Sequence, residues 1–386
     1  MMSDAAKPHL RSFLLYFLRL GTLGFGGPIA LAGHMQQDLV EQRSWVTPQE
    51  YKEGLALAQL SPGPLAAQLA MFLGWVRGGA WGATLVAVAF VGPSFIMVVV
   101  LSALYVRYGG LPWMQGVFYG VGAAVIAIIA RSALKLVRTT LGRDRLLWVL
   151  FSISVVVTAW TQTEVVWLFI ASGVVPVIAR FGLPQVAPSK VSTLFPVLLP
   201  TAAGSATATS LVTILAYFAS AALFVFGSGL AIVPFLHGGV VLKYHWLTER
   251  QFLDAVAVSM ITPGPVVITV AFIGYLVGGL AGAVAAAIGV FLPVYLVVIF
   301  VAPHFRRLAA NAKVKAFVDG VTAAATGAIA GAVIVLGRRA IVDIPAGAVA
   351  LATLGLLLLT RKVPEPLIIL GAGVAGILLH GATATS

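Results

Sequence analysis

Long apolar runs, separated by short polar stretches, make up most of the chain. Runs long enough to cross a hydrocarbon core of about 30 Å fall into two sets of six. The first set lies near residues 12–33, 54–76, 80–105, 116–137, 146–162 and 164–179. The second set lies near residues 213–238, 255–277, 279–302, 316–337, 340–360 and 366–382. The pattern predicts an all-α polytopic membrane protein, because only helices satisfy their own backbone groups in lipid when the runs are this long.

The first run has some features of a secretory signal peptide, because Lys7 and Arg11 precede an apolar stretch that begins at Phe13. However, Arg19 interrupts that stretch, and no clean small-residue cleavage site follows it. A related segment also recurs later in the chain. We therefore interpret the run as a retained first membrane helix.

Composition supports a membrane protein and excludes several other classes. The chain is 60% apolar and 9% charged, whereas soluble domains are about 45–50% apolar and about 25% charged. The net charge of +12 comes from basic residues placed singly between apolar runs, which is typical of topology signals rather than of a nucleic-acid partner. The absence of Cys excludes disulfides and thiolate ligands. We expect no cofactor and no metal, membrane lipid as the surroundings, and either a monomer or a homodimer.

The two sets of runs are copies of one another. Motifs of the first set recur 201 positions later, and after a one-residue slip the match continues at 200 positions. The matching pairs are Phe25-Gly26 with Phe226-Gly227, Trp45 with Trp246, Ser61-Pro62-Gly63-Pro64 with Thr262-Pro263-Gly264-Pro265, and Gly78-Gly79 with Gly278-Gly279. We predict a first membrane repeat at residues 1–180, a linker at 181–212 that includes an extra span in one alternative, and a second repeat at 213–386.

Basic residues predict that the two repeats have inverted topology. A parallel second repeat would place eight of its basic residues outside the cell and two inside, Arg338 and Arg339, whereas inversion reverses this ratio. The eight are Lys243, Arg250, Arg306, Arg307, Lys313, Lys315, Arg361 and Lys362. Inversion needs either one crossing near residues 191–212 or one segment per repeat that dips in without crossing. The two alternatives give between about 10 and 13 crossings, and inverted repeats are typical of secondary transporters.

A helix-breaking tetrapeptide lies inside the second run of each repeat. In Ser61-Pro62-Gly63-Pro64 and in Thr262-Pro263-Gly264-Pro265, the two prolines each remove a backbone donor and the glycine permits a sharp turn. We predict that each helix breaks there and restarts at Leu65 or Val266. The alternative is a simple proline kink that packing tolerates.

A restarted helix near the centre of a membrane is suited to binding an anion. Its first N–H groups lack helical partners, and the helix dipole is positive at that end. The hydroxyls of Ser61 and Thr262, with the side chains of Gln59, Gln68 and Thr269, are the predicted additional donors.

The first run of each repeat contains a second glycine-rich motif. Gly26 and Gly27 in the first copy, with Gly227 and Ser228 in the second, indicate either close helix packing or another broken helix beside the same cavity.

Charged residues within the runs are candidates for function. Arg19 could attract an anion or extend its guanidinium to the membrane surface. Glu53 and Asp254 occupy equivalent positions before the two breaks, and they are candidates for proton coupling or for simple interfacial acids. Asp319 is a third coupling candidate, although Lys315 is one turn away and could pair with it. His34 and His237 each stand alone in the sequence, which favours a structural role.

Other apparent motifs carry no chemistry. Gly371-Ala372-Gly373-Val374-Ala375-Gly376 matches a dinucleotide fingerprint, but it lies in a terminal apolar run without a preceding strand. The pairs Gly116/Gly120 and Gly327/Gly331 are typical of close helix packing. The sequence has no Walker A, HExxH or GxSxG motif and no nucleophile with a base, so neither an ATP-driven pump nor an intramembrane enzyme is expected.

The motifs together resemble those of the chromate ion transporter family. The resemblance is carried by Gly24-Phe25-Gly26-Gly27-Pro28, Trp45 and Gln59-Leu60-Ser61-Pro62-Gly63-Pro64, followed by a diverged second copy. It covers essentially the whole chain and is greatest with the long, two-domain members. It implies an inner-membrane protein that exports chromate, confers chromate resistance and is driven by the membrane potential or the proton gradient, with sulfate as an exchanged or competing anion.

The two copies differ within the motifs, and the motifs do not distinguish chromate from sulfate. The second copy has Ser228-Gly229 for Gly27-Pro28 and Met260 for Gln59, so the family's site is carried onto the first copy. Chromate and sulfate are divalent tetrahedral anions of similar shape, and nothing in the motifs separates them. An anion channel on the same fold is the alternative function, and transport against a gradient would distinguish it.

Overall fold

The computed structural model describes residues 9–25, 27–108, 112–161, 166–182, 210–223, 225, 232–305, 310–341, 343–359, 363 and 365–383. Within these ranges the chain forms fourteen α-helices and no strand. Four helical segments are long and apolar enough to cross a membrane: Leu65–Tyr108, Trp113–Thr140, Val266–His304 and Ala312–Ala340. The all-α polytopic prediction is therefore confirmed. The predicted crossing near residues 191–212 lies almost wholly outside the described residues.

The first repeat contains seven helices. They are α1 (Leu10–Leu23), α2 (Gly27–Met35), α3 (Pro48–Leu60), α4 (Leu65–Tyr108), α5 (Pro112–Thr140), α6 (Arg145–Thr161) and α7 (Val166–Phe181). A π-helical segment, Gln36–Gln42, extends α2.

The second repeat has the same order of elements in its described part. Its helices are α8 (Leu211–Ala222), α9 (Ile232–Leu236), α10 (Glu249–Ile261), α11 (Thr269–Val301), α12 (Ala312–Ala340), α13 (Ile344–Leu359) and α14 (Glu365–Thr383). A π-helical segment, His237–Lys243, extends α9, and 3₁₀ turns flank α11 at Val266–Ile268 and Ala302–His304.

The first apolar run, predicted near residues 12–33, is divided between α1 and α2. The helix α1 ends at Leu23, and α2 begins at Gly27 with a φ of 73°. The Ser94 hydroxyl of α4 donates a hydrogen bond of 3.1 Å to the Gly21 carbonyl oxygen. This bond holds the buried end of α1 against α4. The glycine-rich motif is therefore a break in the helix, and its Gly26 lies outside the described residues.

The helix α3 starts earlier than the apolar run predicts, because polar residues cap it. Thr47 Oγ1 accepts a bond from the Glu50 N–H (3.2 Å), and the Glu50 carboxylate accepts one from the Thr47 N–H (2.8 Å). This reciprocal capping box fixes the start of α3 at Pro48. Thr248 and Gln251 form the same box at the start of α10.

The helix α3 and the first arm of α4 form a hairpin. A Cβ at Gly54 would overlap the ring of Phe72, so the two residues are in contact. A straight helix would separate residues 18 positions apart by about 27 Å, at a rise of 1.5 Å per residue. The two residues lie at similar distances from the Ser61–Pro64 break. The chain therefore turns back at the break, and the 54–76 run is not a straight span.

A second reversal divides α4 at Gly78 and Gly79, where Gly79 has a φ of 58°. The backbones of Gly74 and Gly82, four residues before and three after this pair, lie against each other. We call residues 65–77 the inner arm of α4 and residues 80–108 the outer arm. The same reversal at Gly279 divides α11 into an inner arm, 269–277, and an outer arm, 280–301.

The long helices of the two repeats interlock. The helix α5 packs against α13 and α14 of the second repeat, and α12 packs against α6 and α7 of the first. Gly116 and Gly120 lie against the α14 backbone, whereas Gly327 and Gly331 lie against α6. The predicted packing role of these glycines is confirmed, because a side chain at these positions would collide with the neighbouring helix.

Candidate functional site

The break in the first repeat is set by its own sequence. Ser61 leaves helical geometry, with φ of −112° and ψ of 152°, and its N–H still bonds to the Leu57 carbonyl. Pro62 and Pro64 have no N–H to continue the helix. Gly63 has a φ of 132°, a region that only glycine adopts without strain.

The two breaks are joined across the repeats. The Gly63 N–H donates a bond of 2.6 Å to the Val225 carbonyl oxygen, and the Gly264 N–H donates one of 2.8 Å to the Gly24 carbonyl oxygen. The tetrapeptide of each repeat thus meets the glycine-rich motif of the other repeat. The sequence predicted that these two N–H groups face an anion, whereas in this conformation each donates to a backbone carbonyl of the other repeat.

The predicted hydroxyl and amide donors brace the breaks. Ser61 Oγ donates to the Leu57 carbonyl oxygen (2.5 Å), and Gln68 Nε2 donates to Ser61 Oγ (3.1 Å) and to the Pro62 carbonyl oxygen (2.7 Å). In the second repeat, the hydroxyls of Thr262 and Thr269 donate to carbonyl oxygens of their own helices at 2.7 and 2.8 Å. In this conformation, each hydroxyl would have to break its hydrogen bond to a carbonyl oxygen before it could donate to an anion.

Donors remain free at the start of the inner arm of α4. The N–H groups of Leu65, Ala66 and Ala67 have no hydrogen-bond acceptor in the described part of the chain, and all three residues are buried. One turn on, Gln68 is fully buried, and its Oε1 accepts no hydrogen bond from the residues that the structure describes. Buried helix amides without acceptors are normally satisfied by a cap, water or a ligand. This end of the inner arm therefore presents buried backbone donors that have no acceptor among the described residues.

A cavity of about 560 Å³ reaches Leu65 from one side of the protein. It brings together Gln59, Leu65 and Asp319 from the predicted set. Residues from both repeats line it: Ala32, Gly33, Gln36, Tyr51, Leu55, Gln59, Leu60, Leu65, Leu136, Thr139, Thr140, Lys315, Val318, Asp319 and Thr322. The cavity thus combines neutral polar side chains, one lysine, one aspartate and the start of a helix.

Other predicted site residues lie elsewhere. Arg19 is exposed on α1 and does not line this cavity. Gly27 begins α2 with open space where a side chain would project. Gly227 and Ser228 lie outside the described residues. Pro263 and Pro265 flank the turn at Gly264 in the second repeat, next to Val266 of the 3₁₀ turn.

The sequence suggested a pair between Asp319 and Lys315, and this pair is not formed. Arg180 Nη1 lies 3.3 Å from Asp319 Oδ2, and Arg180 Nη2 lies 2.5 Å from Asp144 Oδ2. Burial disfavours the charged form of Asp144, but bonds from Arg180 and from the α6 backbone outweigh it and lower the pKa of this carboxyl. The guanidinium of Arg180 thus holds both acids, and Lys315 has no ion-pair partner among the described residues.

The two coupling candidates that precede the breaks differ in environment. Asp254 is only 4% exposed, and its Oδ2 accepts a bond of 2.7 Å from the Tyr105 hydroxyl of the first repeat. Glu53, its counterpart, is partly exposed and accepts a bond of 2.9 Å from Gln49. Asp254 therefore links the two repeats through its hydrogen bond with Tyr105.

The equivalent region of the second repeat holds charged side chains where the first repeat has neutral ones. Two cavity residues, Gln36 and Thr139, correspond to His237 and Arg339. His237 Nε2 lies 2.8 Å from Glu249 Oε2, and Arg339 forms an ion pair with the same carboxylate. The predicted isolation of His237 was therefore wrong. We call His237, Glu249 and Arg339 the ionic cluster.

Sequence reasoning missed the polar cavity residues Gln36, Thr139, Thr140, Thr322 and Lys315. None belongs to a motif, and Lys315 reaches the cavity only because α12 packs beside α5. The repeat alignment could have suggested the ionic cluster, since it pairs His237 and Arg339 with two residues of the first repeat.

Comparison with known proteins gives a consistent result. The profile of the family described as "Chromate transporter" matches residues 11–177 and 212–377. The chain is 57% identical to a chromate transport protein of Cupriavidus metallidurans, covering 96% of this chain and 93% of the relative. It is 52% identical to a probable chromate transport protein of Synechococcus elongatus, covering 96% and 95%. A chromate transport protein of Pseudomonas aeruginosa is 32% identical, covering 94% and 91%. No solved structure matches the chain.

Proposed function

The chain belongs to the chromate transporter family, and on that premise we propose that it is a secondary transporter that exports chromate. It is a multi-pass protein of the bacterial plasma membrane. The observation that carries the proposal is the cavity that reaches Leu65, the first residue of the inner arm of α4, where the N–H groups of residues 65–67 have no acceptor among the described residues. A tetrahedral dianion can accept bonds from several such donors at once, and it needs no metal to do so.

The proposed binding site is centred on the first break. The N–H groups of residues 65–67 would contact the anion directly, and Gln59 lies in the same cavity. Ser61 and Gln68 hold the break in shape, so they act on the anion through the backbone in this conformation. The break at Thr262–Pro265 in the second repeat is proposed as the opposite wall of the pathway.

We propose that the two repeats, 1–180 and 213–386, are inverted. Thr84 Oγ1 lies 2.9 Å from the Tyr295 hydroxyl, although Thr84 is 5 residues past its glycine turn and Tyr295 is 16 past its own. Contact between a residue near the start of one outer arm and a residue far along the other is expected when the two arms run antiparallel. A hairpin at 249–277 would return the chain to the side from which it entered, so on this proposal Lys243 and Arg250 lie on the face opposite to the one that a continuous span gives them. The eight-to-two asymmetry is therefore reduced, and the antiparallel contacts support inversion better.

The proposed mechanism is alternating access. One side of the protein has an open cavity, and the equivalent region on the other side holds the ionic cluster. We propose that the ionic cluster keeps its side closed, so that this side opens and the cavity closes when the repeats exchange conformations. A channel would need both sides open together, so the asymmetry favours a transporter over the anion-channel alternative.

Asp254 is the proposed site of proton coupling, with Glu53 and Asp319 as the other candidates. Its carboxyl is buried, and its hydrogen bond to Tyr105 joins α10 to the outer arm of α4. Opening of the far side would separate these helices and change the water access of the carboxyl. A proton could then bind or leave at each change of conformation.

Chromate content of cells tests the proposed export. Expression in a chromate-sensitive bacterium should lower chromate accumulation and raise resistance, and excess sulfate should weaken both effects if sulfate competes or exchanges. Unchanged chromate content, with the protein verified in the membrane, would contradict export. Uphill extrusion against a chromate gradient would exclude the channel.

A further inference from the structure

The cavity beside the first break contains a cation that comes from the second repeat. Lys315 lies on α12, and it lines the same cavity as Gln59 and Leu65 of the first repeat. Its side chain is exposed to the cavity and has no carboxylate within ion-pair distance in the described ranges. Asp319, one turn later on the same helix, is held by Arg180 instead.

The arrangement of Arg180 explains why Lys315 remains available. A Lys and an Asp four residues apart on a helix normally form a weak pair. Here the guanidinium of Arg180 bridges Asp144 and Asp319, and a backbone cap at the start of α6 fixes Asp144 as well. Asp319 lines the same cavity, but its carboxylate is paired with Arg180 and so does not neutralise Lys315.

We propose that Lys315 is the residue that makes the cavity selective for divalent over monovalent oxyanions. The inference rests on the proposed function and adds a residue that no motif identifies. The N–H groups of residues 65–67 recognise oxygen atoms but carry only partial charge. A full positive charge interacts twice as strongly with a dianion as with a monoanion at the same distance, because the Coulomb energy scales with the product of the charges.

Affinity depends exponentially on binding energy. Doubling the energy that is lost therefore squares the fold-change in affinity, so the fold-change for a divalent anion is the square of that for a monovalent anion. If loss of the charge weakens a monovalent anion about three- to tenfold, it should weaken a divalent anion about ten- to a hundredfold. The selectivity ratio should therefore fall by about three- to tenfold. A purely structural defect would lower both affinities alike and leave the ratio unchanged.

The test uses sulfate and perchlorate, which are both tetrahedral but differ in charge. Inhibition of chromate flux by each anion is measured in proteoliposomes with the parent chain, Lys315→Gln, Lys315→Arg and Lys313→Gln. Lys313 is the matched control because it is exposed on the same turn and does not line the cavity.

We expect Lys315→Gln to lower the preference for sulfate over perchlorate, and Lys315→Arg and Lys313→Gln to retain it. An unchanged preference in Lys315→Gln, or an equal loss in Lys313→Gln, would overturn the assignment of Lys315. The parent chain would still transport chromate in that case, so the proposed function would be unaffected. Absence of flux by the parent would instead contradict the proposed function itself.

Discussion

The Gly63 N–H and the Val225 carbonyl oxygen are 2.6 Å apart, and this bond ties the break of the first repeat to the glycine-rich motif of the second. The reciprocal bond, from Gly264 to Gly24, has a length of 2.8 Å. Each tetrapeptide is thus part of the interface between repeats as well as a turn. A movement of one repeat against the other would be transmitted directly to the proposed anion site.

The glycines of the two breaks should not tolerate a side chain. Gly264→Ala should destabilise the protein by at least about 1–3 kcal/mol, because its φ of 99° is strained for alanine and a Cβ would overlap Ser94 Oγ. Gly63→Ala should cost less, since its Cβ would stand 2.9 Å from Val294 and 3.0 Å from Gln68. Thermal unfolding in detergent measures both effects.

The control for this series is Gly92→Ala, a helical glycine with open space beside it. It should be neutral or slightly stabilising, because alanine is the better helix former. Equal unfolding temperatures for Gly264→Ala and Gly92→Ala would contradict the close contact between the repeats.

The relative orientation of the repeats can be tested by labelling, because the chain has no native Cys. Arg143→Cys lies in the loop after α5, and Arg338→Cys lies in the last turn of α12, near the equivalent end of the second repeat. Inversion predicts that a membrane-impermeant thiol reagent labels them from opposite faces. Labelling of both from one face would exclude inverted repeats.

The ionic cluster is expected to keep its side of the protein closed. Gln59→Cys should react with a soluble thiol reagent through the open cavity, whereas Met260→Cys, its buried counterpart, should be protected. Adding Glu249→Gln should increase the labelling rate of Met260→Cys several-fold, because it removes the carboxylate that His237 and Arg339 share.

The matched control for the cluster is Arg250→Gln, which removes an exposed charge next to Glu249. It should leave labelling of Met260→Cys unchanged. If Glu249→Gln has no more effect than Arg250→Gln, then the ionic cluster does not close the pathway.

Proton coupling through Asp254 predicts a specific defect. Asp254→Asn should preserve chromate binding but remove the dependence of flux on an imposed pH gradient, whereas Glu53→Gln should retain it. Tyr105→Phe leaves the buried carboxyl without its hydrogen bond, which should cost about 1–3 kcal/mol of stability. A normal response to the pH gradient in Asp254→Asn would assign coupling to another group.

The sequence predicted the helical class, the duplication and the positions of the breaks, because apolar run length and proline chemistry are local properties. It left open whether Ser61–Pro64 bends the helix or turns the chain back, since a kink and a hairpin have the same local signature. It also missed the bond between Gly63 and Val225 and the location of Lys315 in the cavity. These depend on packing between repeats, and a single sequence carries no direct signal for such contacts.

The hydroxyl of Ser61 illustrates the same limit. A serine at a helix break suggested a donor to the anion, but the proton of its hydroxyl is engaged by Leu57. Local helix carbonyls compete for short hydroxyl side chains, and only the folded structure reveals which acceptor is nearest.

Chromate flux in proteoliposomes, with the membrane potential and the pH gradient set separately, tests the central claim most directly. The parent chain should show saturable flux that sulfate inhibits. The double variant Pro62→Ala/Pro64→Ala should insert and fold but lose this flux, because a continuous helix would satisfy the N–H groups of residues 65–67. Undiminished flux in the double variant, or parent flux no greater than that of protein-free liposomes, would contradict transport through the broken helix.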